Sequence, residues 1–266
     1  MTDRQGVWTY AITDYSGGEL PPLTGVAGTK VRTATAAGLT VLVSDVALAE
    51  FGEVALRRNL ENLAWLEEVA RAHHQVIEAA ARLFPVLPAR LATIYSSDAA
   101  MAAVLGARAG HVHAALRRVG GRVEWGVKVY AAPEDDRREP VPASMAGGEG
   151  AGRGTGRGEG AGLAYLKRRR AQLTAARESR SSALAAAQAV HSRLSRHAAQ
   201  ARLYPPQSAQ LSGTRTPMLL NAAYLLEANG GSGFTSAVAD AAAAHPELRL
   251  ELTGPWPPYS FTGDDS

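Results

Sequence analysis

The 266-residue sequence contains no cysteine. That absence removes disulfides, cysteine-ligated zinc, iron–sulfur clusters and thiolate nucleophiles together, and it suits a reducing compartment, so the cytoplasm is the expected location. Long apolar runs are also missing. No stretch approaches about 18 residues, so no membrane-spanning helix is expected. The opening segment MTDRQGVWTYAIT lacks the extended apolar core of an export signal. Charge is sparse at 20%, against 46% hydrophobic residues, a balance that excludes disorder throughout and allows a sizeable core in one large or two small domains.

What charge there is lies unevenly. Between Leu163 and Leu203 stand nine Lys and Arg against a single Glu, whereas the whole chain carries only +3. The rest of the chain is therefore net acidic, and a basic arm on an acidic body could meet nucleic acid, anionic lipid or an acidic protein face. Composition alone leaves these open.

Periodicity divides the chain. Gly6–Thr13 alternates as a strand, and Lys30–Val46 reads as a hairpin turning near Gly38. Apolar residues at spacings of three and four (Leu60, Leu63, Leu66, Val69, Val76, Ile77, Ala80, Phe84) predict one amphipathic helix over 59–84. A strand over 85–95, a cap at Ser97 or Asp98 and a helix to Val119 follow, with Gly120–Gly121 ending that helix before a strand at 122–131. Residues 133–162 collapse to Gly, Ala, Pro, Glu and Arg, too little apolar surface to offset the entropy of ordering, and predict a flexible loop. A Pro- and Gly-free run over 163–203 predicts helix, in one piece or broken near ESRSS. An apolar strand over 216–228, a short helix and a strand LRLEL close the pattern. From residue 85 the order is β-α-β, basic helical piece, β-α-β, the split order of a ferredoxin-like domain carrying a helical insertion.

Catalytic chemistry finds no footing. The Gly-rich tract lacks the Gly-Lys-Ser/Thr ending of a phosphate loop. His73, His74, His111, His113, His191, His197 and His245 show no chelating helical spacing, and no Gly-x-Ser-x-Gly elbow occurs. No enzyme activity, cofactor or metal is therefore expected. Lys167, Arg168, Arg169, Arg170, Arg177 and Arg180 form a candidate partner-binding face. Single-strand nucleic-acid binders interleave such charges with aromatics, and only Tyr165 is near. The tail TGPWPPYSF concentrates Pro255, Trp256, Pro257, Pro258, Tyr259 and Phe261. It is expected to leave the last strand at Gly254, run extended and pack back on the body, with GDDS disordered beyond it.

The segments VWTYAI, VLPARLATIYSSDAAM, GRVEWGVKVYA, MLLNAAYLLEA and LTGPWPPYSF resemble, in order, those of the gas vesicle F/L family (GvpF/GvpL). Two departures are Leu91 and Ala92, where an aromatic and a Gly are more usual. The resemblance implies an α+β fold of two domains, 1–84 and 85–253, the second a modified ferredoxin-like domain with a basic helical insertion at 163–204. The tail, 254–266, would pack between them. It also implies a non-enzymatic accessory or minor structural protein of gas vesicle assembly, in the cytoplasm and associated with the vesicle. The implied partners are the shell protein and other accessory proteins. A nucleic-acid binder using the basic helix is the alternative.

Overall fold

The computed structural model describes residues 4–15, 21–132, 159–207 and 216–263. Most of the loop expected over 133–162, and Asp264–Ser266 of the expected disordered end, lie outside them. Two antiparallel sheets organise the molecule. In the first, β1 (Gln5–Thr13) is central, flanked by β3 (Leu39–Ala47) and by two short strands, β4 (Leu87–Pro88) and β5 (Ile94–Tyr95), with β2 (Arg32–Ala36) outside β3. Ala37 (φ 51°) and Gly38 (φ 77°) make the two-residue turn of the expected hairpin, both in the left-handed region that matches strand twist.

The helix expected over 59–84 begins later. Asn62 Oδ1 accepts hydrogen bonds from the backbone N–H groups of Ala64 and Trp65, starting α3 (Leu63–Ala81) and separating it from the short α1 (Leu48–Phe51) and α2 (Glu53–Asn59). Leu60 and Leu63, counted in the apolar stripe, consequently lie exposed, while Val69, Val76, Ile77 and Ala80 are buried. The next helix also splits, at Arg108, into α4 (Asp98–Ala107) and α5 (Ala109–Val119). Ser97 Oγ caps α4 by accepting from Ala100 N, and Asp98 instead pairs with Arg32.

The second sheet runs β7 (Gln200–Leu203), β8 (Met218–Glu227), β6 (Arg122–Ala131), β9 (Leu248–Trp256). α6 (Glu159–Ser195) leads from the β6 side into β7, and α7 (Gly231–Ala244) joins β8 to β9. This corrects three expectations. The strand over 85–95 pairs with β1 in the first sheet rather than opening the second. Residues 200–203, assigned to the helical insertion, are an edge strand on β8. β9 continues past Gly254 to Trp256, pairing Trp256 with Glu124 after a bulge.

Three apolar clusters stack the layers. Trp8, Tyr10 and Leu42 of the first sheet pack on Val76 and Ile77 of α3. On that sheet's other face, Val41 and Val43 meet Met101, Leu105 and Leu116 of α4 and α5, and these helices also touch Ala223 and Leu225 of β8. The far face of the second sheet, with Val127, Val129 and Tyr224, is covered by Val190 and Leu194 of α6 and Phe234 and Val238 of α7. Alternation along β8 decides this: Ala222, Tyr224 and Leu226 face one way, Ala223 and Leu225 the other. The order of layers is helix, sheet, helix pair, sheet, helix pair.

Candidate functional site

The tail is the strap across these layers. Pro257, Pro258 and Phe261 are buried, Tyr259 is half-buried, Pro255 is exposed and Trp256 remains 44% exposed. Phe261, in a short 3-10 turn over Tyr259–Phe261, enters the cluster shared by α4, α5 and both sheets. Tyr259 packs against the α3 side and its hydroxyl lies 3.1 Å from His74 Nδ1. The His74 ring stacks on Tyr259 and meets Trp256 edge-on, at centroid distances of 6.0 and 5.5 Å.

Charged groups hold the strap's backbone. Glu124 of β6 accepts from Ser260 N at 2.7 Å and from the Ser260 hydroxyl. Arg202 of β7 donates to Ser260 O at 2.7 Å. Arg118 of α5 donates to Phe261 O at 3.1 Å and Gly263 O at 2.9 Å. Burial pushes the Glu124 carboxyl above the ordinary carboxylate range, with the two Ser260 donors and the Arg202 charge pulling it back. Burial, and then the Glu124 and Glu78 charges, push the Tyr259 phenol up, so it remains a neutral hydrogen-bonding group. His74 was weighed in the sequence only as a possible metal ligand, and none of His74, Arg118, Glu124 and Arg202 was expected to receive the tail. Their partners lie from 58 to 185 positions away along the chain, and nothing in their local pattern announces it.

The six basic candidates sit on α6, which is one helix rather than two. Every residue from Leu166 to Ser182 is exposed, and packing begins only at Ala183. Of the aliphatic residues described on this helix, Val190 and Leu194 are buried, whereas Leu166, Leu173 and Leu184 are 63%, 50% and 40% exposed. The first half projects about 25 Å at 1.5 Å per residue. Lys167, Arg168, Arg169, Arg170, Arg177 and Arg180 all lie on this arm, and no hydrogen bond or ion pair joins them to the described residues of the tail. Among the described residues, no group of three or more His, Asp or Glu could hold a metal, and no helix is long and apolar enough to cross a membrane.

A family description for gas vesicle synthesis protein GvpL/GvpF matches residues 6–263. The chain belongs to the GvpL/GvpF family. It is 38% identical to gas vesicle protein L of Streptomyces sp. (strain CB03234) over 98% of this chain and 94% of that one. With gas vesicle protein F of the same strain it shares 28% identity over 96% and 98% of the two chains. The crystal structure of the gas vesicle protein GvpF from Anabaena sp. PCC7120 superposes with a TM-score of 0.65 at 19% identity, covering 98% of both chains, a likeness of fold. At Ala92, where the resemblance implies Gly, φ is 62°, in the left-handed region that favours Gly.

Proposed function

We propose that this chain is a non-enzymatic accessory or minor structural protein of gas vesicle assembly, acting in the cytoplasm on the shell protein and other accessory proteins. The observation that carries the reading is the family match across 6–263. Identity of 38% with the L relative, against 28% with the F relative, supports an L-type member. In this reading residues 122–256 form the modified ferredoxin-like unit. Its support is the sheet order β9-β6-β8-β7, with chain order β-α-β-β-α-β, in which α6 is a crossover of the fold rather than an insertion. The tail would then clasp that unit to the one before it.

Two surfaces suit binding. A small groove of about 240 Å³ opens beside the exposed Trp256, between the end of α3 and the tail, with Phe84, Val86 and Val123 on its walls. The basic arm offers charge for an acidic partner face. Co-expression with the shell subunit tests the reading: more soluble shell protein and a recoverable complex are expected, and an equally insoluble shell subunit with no complex refutes it. The arm's exposure also favours the second reading, nucleic-acid binding. That reading requires retardation of nucleic acid at low salt that weakens steeply as salt rises, and no retardation removes it.

A further inference from the structure

A second concavity, about 310 Å³, lies on the other side of the molecule's first sheet from α3, where the ends of β1 and β4 meet α4, α5 and the turn at Gly263. Its floor is apolar, formed by Ile12, Leu87 and Leu105, and the exposed residues Arg90, Arg108 and His111 also line it. Among the described residues no carboxylate lines it. Arg32, Arg57, Arg71, Arg82 and Arg122 each pair with an acidic side chain. Arg90 and Arg108 make no ion pair with any described residue.

We infer that this cavity binds an aliphatic group ending in a carboxylate, the apolar body seated on the floor and the anion held by Arg90, Arg108 and His111. The size is at the lower end of small-molecule sites, which are mostly apolar with a few placed polar groups. Two arginines with no ion pair to a described carboxylate can supply the charge-assisted hydrogen bonds that such an anion would accept. A free short-chain carboxylate and the C-terminal residue of a peptide present this same chemistry. The inference stands on the cavity and does not rest on the assembly role proposed above.

The test is NMR titration of the full chain with octanoate and with acetyl-alanyl-leucine. Octanamide and the amidated peptide serve as uncharged counterparts. Saturable shifts centred on Thr93 and Val112 are expected with at least one carboxylate probe, and which one responds identifies the source. The amide counterpart is expected to bind at least tenfold more weakly, and an Arg90→Gln, Arg108→Gln double variant, at exposed positions, to weaken binding about tenfold. No saturation by either carboxylate, equal binding of the amides, or an unaffected double variant would each overturn the inference.

Discussion

Replacing Phe261 by Ala tests whether the strap is part of the core or only laid upon it. Phe261 is 2% exposed and its ring is surrounded by residues of α4, α5 and both sheets. Truncating a buried Phe typically costs about 3–5 kcal/mol through lost transfer energy and the cavity left behind. The lower part of that range applies here, because the Arg118 bonds to Phe261 O and Gly263 O and the Glu124 bonds to Ser260 involve atoms the substitution leaves in place. At about 3 kcal/mol, a chain of this size should melt roughly 6–12 °C lower. Calorimetry reads the midpoint, and limited proteolysis reads whether cleavage near residue 254 becomes faster. A midpoint within a degree or two of the parent, with an unchanged cleavage pattern, would refute the placement of Phe261 in the shared core.

Further expectations follow from single residues. His73 is buried, accepting from Trp8 Nε1 at 3.0 Å and facing Ala89 O through Nε2, and burial depresses its pKa to about 4. The unfolded chain therefore binds the proton first as pH falls below about 6.5. Stability should decline between pH 6.5 and 4 by on the order of 3 kcal/mol, a slope that melting of His73→Gln should lack. Ala92→Gly should raise stability by about 0.5–1 kcal/mol in denaturant titration, since relief at φ 62° outweighs the added unfolded-state entropy. Gly254→Ala should cost about 2 kcal/mol on the same assay, because φ is 122° and a Cβ would stand 2.8 Å from Glu124 O. Leu194→Ala should cost about 2–5 kcal/mol, whereas Leu166→Ala with Leu173→Ala should change stability by less than about 0.5 kcal/mol, as expected of exposed arm positions.

Much of the secondary structure is legible in the residues because its signals are local. Alternation marks β1 and β6, a continuous apolar run marks β8, and the glycine at Gly38 marks the hairpin. What escaped is set by distant partners. β4 and β5 are two residues each and owe their existence to backbone bonds with β1, while β7 follows a helix-favouring sequence and is a strand only because β8 offers an edge. The break at Arg108 left a faint trace in Gly106 and Gly110, and Asn62 was a readable cap hidden inside an unbroken apolar period. At the tail, the aromatic and proline content pointed to docking, yet the receiving residues His74, Arg118, Glu124 and Arg202 are dispersed over α3, α5, β6 and β7.

The helix pair α4–α5, held between the two sheets, also sets a timetable for synthesis. Its inner face is complete at Val119, but the residues that cover it from the second sheet, Ala223 and Leu225, and the closing ring of Phe261 arrive more than a hundred positions later. At translation rates of roughly 5–20 residues per second, the nascent chain carries that uncovered apolar face for about 5–30 s. Variants that weaken the second sheet should therefore lower yield during expression more than their melting temperatures alone would suggest.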